Sequence, residues 1–194
     1  MNSITKTSMK LLQRGFTLIE LLIVVVILAV LAAIVIPQFS ISTADAQETA
    51  LDSNLTLLRS AIDLYKAQHG GKYPGDVAAT GATCVAGSTA GSGAASSAIA
   101  MTQQLSLYST SGGATCDAPG GVAGTAKADL GPYLRNGMPA DPIKINKTIS
   151  LFTVTGLPLT ASGMAGGWGY DTKSGQIIMN STANDSKAVP YSTH

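Results

Sequence analysis

Few side chains in this sequence have the type and spacing to do chemistry, and the first of them is Glu20. It belongs to Gly15-Phe16-Thr17-Leu18-Ile19-Glu20, which opens an apolar run continuing from Leu21 to Ile36. From Phe16 to Phe39 there are 24 residues, and Glu20 is their only charge. A helix of that length measures roughly 36 Å at the usual rise, enough to cross a bilayer core. A carboxylate one turn into such a helix is costly, about 2.5–3.5 kcal/mol for a central Asp and less near the end. Something must compensate it, and that partner is the main clue to function. Lys6, Lys10 and Arg14 precede the run. By the positive-inside rule they keep the N-terminal side in the cytoplasm and place the rest of the chain outside.

That placement bears on Cys84 and Cys116, both after the apolar run. An oxidising compartment and an even count favour a disulfide over two free thiols. The bridge would enclose 31 residues and stabilise by about 3–4 kcal/mol on the chain-entropy model. Other candidates for chemistry are weak. His69 and His194 have no metal-ligand partner at useful spacing, and the many serines have no paired base. The glycine-rich stretches lack the Lys-Ser/Thr ending of a phosphate loop. Asn54, Asn146 and Asn180 open glycosylation sequons, a pattern common by chance. Asp141, Asp171 and Asp185 fall in C-terminal loops, too sparsely for the converging oxygens that calcium needs. No enzyme, cofactor or metal site is expected. Net charge is +1, which gives no basic footprint for nucleic acid. Loss of residues 1–15 would remove three of the 12 basic side chains and no acid, leaving 9 against 11, a balance of −2.

The elements that must carry these residues follow from the pattern. From Ile41 to His69 the apolar run becomes amphipathic: Leu51, Leu55, Leu58, Ile62 and Tyr65 recur at helical spacing. Gly70-Gly71 stops the helix, with His69 in the last turn where a cation suits the dipole. Pro37 removes one hydrogen bond near Ala33 and predicts a kink. Lys72-Tyr73-Pro74-Gly75 is a turn. Residues 76–124 are rich in Ala, Gly, Ser and Thr, with one helical patch at about Ser96 to Tyr108. A short helix is expected over Ala128 to Leu134, with Leu130, Tyr133 and Leu134 inward, then a loop over 137–142. The last third reads as antiparallel strands. Ile149, Leu151 and Thr153 alternate with Ser150, Phe152 and Val154, and two strands flank the Asp171–Gly175 hairpin loop. Trp168 and Tyr170 share a face expected to pack on the Leu51–Tyr65 stripe. Asn180 to His194 reads as a polar tail with room for one short strand. The expected fold class is therefore α+β: a long N-terminal helix on a C-terminal antiparallel sheet, with a disulfide-held connecting loop.

Arg14-Gly15-Phe16-Thr17-Leu18-Ile19-Glu20-Leu21-Leu22-Ile23-Val24-Val25 resembles the processing site and N-terminal helix of type IV pilins and their relatives, the type II secretion pseudopilins. The resemblance covers about residues 12–70 and otherwise only the general layout. It implies cleavage between Gly15 and Phe16 by a prepilin peptidase and methylation of the new Phe16 amine. That amine is the partner Glu20 lacks. Their attraction in a low dielectric is offset by desolvation, so register between subunits is the better-founded role for Glu20. Pro37 is implied as the place where the helix kinks or unwinds in a filament. Many members carry a Gly inside the run, where this chain has Ala29, Ala32 and Ala33. The implied division is a leader, 1–15; a membrane or filament-core helix, 16–40; and a head, 41–194. The head divides into helix 41–69, variable loop 70–146 and sheet with tail 147–194.

The implied function is a structural pilus subunit, held in the inner membrane with its head in the periplasm. It would then polymerise into an extracellular homo-oligomeric filament through the pilus assembly machinery. The alternative is a type II secretion pseudopilin, whose major forms carry calcium in a C-terminal loop. Tyr133-Leu134 followed by Pro139-Ala140-Asp141-Pro142 resembles both groups and does not separate them. A DNA-capturing minor pilin would need Lys127, Lys144, Lys147, Lys173 and Lys187 to converge.

Overall fold

The computed structural model of the chain describes residues 16–152, 158–163 and 166–194. Two compact units divide it, Met1–Ser42 and Thr43–His194. Helix α1, Leu18–Gln68, contributes to both. No glycine interrupts the sequence between Gly15 and Gly70. The helix ends as expected: Gly70 and Gly71 take positive φ, and the Gly71 amide returns to the Lys66 carbonyl at 3.0 Å. That is the 6→1 bond of a Schellman turn.

In the second unit the stripe Leu51, Leu55, Leu58, Ile62 and Tyr65 is buried against the strands β4, Trp168–Tyr170, and β5, Ile177–Met179. Trp168 and Tyr170 supply the facing layer, as the sequence predicts, and Ile177 and Met179 join them. Helix α2, Ala98–Ser106, adds Met101 and Leu105. It lies inside the predicted patch and is capped by Ser97, whose Oγ accepts from the Ala100 amide at 3.0 Å. Fully buried Gln104 of α2 ties three loops together. Its Oε1 accepts from Gly75 N at 2.6 Å, and its Nε2 donates to the carbonyls of Val77 and Gly113 at 3.0 and 2.9 Å. Strands β1, Tyr108–Ser109, and β2, Thr115–Cys116, pair antiparallel. Cys116 bonds to Cys84, with Cα atoms 5.7 Å apart.

Four sequence expectations need correction. Strand β3, Ile149–Leu151, pairs with β4 in parallel, so the sheet is mixed; only β4 and β5 are antiparallel. The 16 residues from Phe152 to Gly167 are too many for a tight hairpin and enough for a crossover. Thr153 and Val154, predicted to extend β3, lie outside the described residues. Residues 128–134 form no helix. Gly131 has φ +80° and Pro132 brings no amide, while Tyr133 N and Leu134 N both donate to Leu105 O. The bridges Gly120↔Ala128 and Ser109↔Leu130 replace the helix. The tail is folded: Asn184 bridges to Pro190, a turn of 3₁₀ helix closes Tyr191–Thr193, and Tyr191 enters the core.

The fourth correction is His69. It is buried, stacked on Tyr65 with ring centroids 3.7 Å apart, and burial pushes its imidazole below the ordinary histidine value. It serves as a neutral packing group and not as a cation on the helix dipole.

Candidate assembly segment

The N-terminal segment builds its own polar site. Thr17 Oγ1 and Thr17 N both donate to Glu20 Oε2, at 2.7 and 2.9 Å. The Glu20 amide returns to Thr17 Oγ1 at 3.3 Å. This is a capping box: the first amides of an apolar helix receive side-chain partners, and the carboxylate lies where the helix dipole favours a negative charge. Thr-x-x-Glu ahead of an apolar run is the sequence signal for it, so Thr17 was findable and was missed. Gly15 lies outside the described residues. Phe16 is their first member and is 76% exposed.

Every residue from Phe16 to Ile36 is exposed. Leu18–Ile36 is long and apolar enough to cross a membrane. The helix continues through Pro37 to Gln68 without interruption. In the second unit, the outer side of α1 carries a further pattern. Ala46, Ala50, Ser53, Leu57, Ser60, Leu64 and Ala67 are all exposed at alternating spacings of 4 and 3. Leu57 and Leu64 are each about half exposed. This outer stripe is weaker in the sequence than the inward one, because alanine and serine fill most of its positions.

The other singled-out residues have structural work. Asp141 is fully buried and accepts from the amides of Ile143, Lys144, Asn146 and Gly167 at 3.1, 2.6, 3.1 and 2.8 Å. Asp171 organises its hairpin through Lys173 N and Ser174 Oγ, at 2.9 and 2.6 Å. Asp185 accepts from Lys187 N and Val189 N at 2.8 and 2.7 Å. Each holds its own loop. Among the described residues no three His, Cys, Asp or Glu side chains form a group that could hold a metal. Asn54 donates to Ala140 O, Asn146 Oδ1 accepts from Thr148 N, and buried Asn180 bonds Ser162 and Ser150. Lys173 pairs with Asp76, which Lys72 also reaches. His69 Nε2 lies 3.0 Å from Ser109 Oγ, but Ser109 is fully buried, so this contact closes the core and cannot meet a substrate.

Residues 10–36 match the model of the prokaryotic N-terminal methylation motif. The chain carries the signature of the pilin and pseudopilin family. It is 42% identical over 62 residues to the type II secretion system core protein G of Klebsiella pneumoniae, covering 32% of this chain and 44% of that one. It is 44% identical over 54 residues to the core protein G of Pseudomonas aeruginosa, 28% of this chain and 38% of that one. The type IV major fimbrial protein FimA of Dichelobacter nodosus is 51% identical over 55 residues, 28% of this chain and 35% of that one. The matches thus span less than half the length of each of these relatives. No solved structure matches at a comparable level. Within this prepilin-type segment, Thr17 and Glu20 form one local cluster next to Phe16 in the chain, and the exposed run 21–36 follows it.

Proposed function

We propose that this chain is a structural subunit of a type IV pilus. It is held in the inner membrane by Leu18–Ile36, processed between Gly15 and Phe16 by a prepilin peptidase, and polymerised through α1 into an extracellular filament. The carrying observation is the wholly exposed apolar helix with a capped carboxylate one turn inside it. Such a surface needs lipid or other helices around it. Once cleaved, Phe16 offers an ammonium beside Glu20, within its own chain or to a neighbour. An apolar bundle penalises a carboxylate left without a partner, so subunits add at one stagger. The outer stripe with Leu57 and Leu64 gives the head helix a seam of small and apolar residues for packing in the same assembly.

A second reading, a pseudopilin of a type II secretion system, is supported by the likeness to core protein G. The disulfide-held loop 84–116 supports the pilus, because an exposed fibre gains most from a cross-link. Electron microscopy of cells with a label on the head separates the two. Long external fibres are expected, and confinement to the envelope overturns the pilus in favour of the pseudopilin. Mass spectrometry should find a mature chain that begins at methylated Phe16; one beginning at Met1 removes both readings. Glu20→Ala should insert in the membrane yet yield few filaments, and a normal filament yield would refute the register role.

A further inference from the structure

Residues 181–194 form a strap along α1, fastened at three heights on that helix. Ser186 N and Oγ donate to Glu48 Oε1 and Oε2 at 2.7 and 2.9 Å. His194 Nδ1 lies 2.8 Å from Asp52 Oδ1. Arg59 donates to the His194 backbone oxygen at 2.7 Å. On the other side of the ring, His194 Nε2 is 3.3 Å from Asp185 Oδ2, within ion-pair reach but out of line for a hydrogen bond. The imidazole is therefore set between two carboxylates, one from the helix and one from the strap itself.

A neutral imidazole has one N–H and one lone pair; an imidazolium has two N–H groups. Only the imidazolium answers both carboxylates, and a neutral ring turns a lone pair on one of them. The charged or titratable groups around it are Asp52, Arg59 and Asp63 from α1 and Asp185 and Tyr191 from the strap, with Glu48 one turn further along α1. Arg59 bonds the backbone oxygens of His194 and Ile177 through Nη2, a fastening that does not depend on the charge of the ring. Burial acts to raise the Asp185 carboxyl, but the amides of Val189 and Lys187 and the His194 ring outweigh it and hold the group below the usual carboxylate range. The strap also forms one wall of a groove of about 620 Å³, where Pro190 and His194 stand with Arg59, Asp63, Tyr73 and Ile177.

We propose that His194 is a protonation-dependent clasp: as the imidazolium it answers both Asp52 and Asp185 and closes the end of the strap on α1, and on losing its proton it gives up one of the two carboxylates and loosens that end at the wall of the groove, while Ser186–Glu48 and Arg59 still hold. The proposal does not depend on the filament reading. Hydrogen exchange of the full chain in detergent micelles tests it between about pH 5 and 8, the window in which histidine changes charge. Rates are corrected for intrinsic pH dependence. The amides of Tyr191 and Thr193 should lose about tenfold protection on going to the higher pH, the effect of one charge-assisted bond, whereas the Ser186 amide, held by Glu48, should keep its protection. The Asp171 amide, bonded across the β4–β5 hairpin, should not change. His194→Gln should abolish the pH response and Asp52→Asn should reduce it, with the Asp171 amide reporting that each variant is folded. Strap protection independent of pH in the native chain overturns the clasp, as does a full response retained in either variant.

Discussion

At the scale of single residues, the polar side chains of the second unit are mostly committed to its loops, and the cost of removing them follows from what they leave behind. Asp141 is the clearest case, because one buried carboxylate serves four amides of two separate segments. Asp141→Ala would strand those donors away from water. Each unsatisfied group costs about 1–3 kcal/mol, so a loss of roughly 3 kcal/mol or more is expected as a lower urea midpoint of the full chain in micelles. His69 makes a different prediction. Burial depresses its native imidazole, so below about pH 6.5 the unfolded chain binds a proton that the folded chain refuses. Stability is then full above about 6.5 and declines as pH falls toward the depressed native value. Denaturation midpoints at the two ends of that range should diverge in the native chain and diverge less in His69→Gln. Equal slopes in the two proteins would assign the acid sensitivity elsewhere.

At the scale of elements, α1 and α2 could be read from the sequence because periodicity and end signals agree. The inward stripe is spaced for a helix, Gly70-Gly71 can turn left-handed, and Ser97 can cap. The β4–β5 hairpin was equally readable, since Asp171 and Gly175 bracket a turn between two apolar stretches. The direction of β3 was not, because alternation fixes which face a residue takes and not which way its partner runs; the length of the connection held that information. The absent helix at 128–134 is a different failure. Leu130, Tyr133 and Leu134 have the right spacing, but Gly131-Pro132 sits among them and decides against it. The role of Thr17 does not follow from the charge of Glu20; it follows from the cap that Thr-x-x-Glu spells. The cysteines were paired correctly from compartment and count. Their bridge closes 31 residues that contain α2 and β1, and Cys116 itself ends β2. Replacing both with Ser should destabilise the chain by about 3–4 kcal/mol, read as a fall in the thermal midpoint. A negligible change would mean that Gln104 and the α2 packing hold this region unaided.

At the scale of the whole molecule, the two faces of α1 in residues 43–68 are assigned different partners by their burial. Leu51, Leu55, Leu58 and Ile62 are covered by the sheet and α2, whereas Leu57 and Leu64 stand exposed with only small neighbours on their side. An isolated monomer gains less from leucine at those two positions than from the inward stripe, since about half of each side chain stays in water. Assembly gives them a purpose, because two leucines seven residues apart, among alanines and serines, suit close approach of another helix. The double variant Leu57→Asp/Leu64→Asp separates the two roles. It should leave processing, disulfide formation and the thermal midpoint of the monomer nearly unchanged, within about 0.5 kcal/mol as for most surface substitutions. Filament yield should fall sharply, because each assembled copy would place two carboxylates against apolar neighbours at several kcal/mol apiece. Filaments at native yield from a folded double variant would show that the outer stripe faces water in the assembly, leaving the exposed run 16–36 to hold subunits together alone.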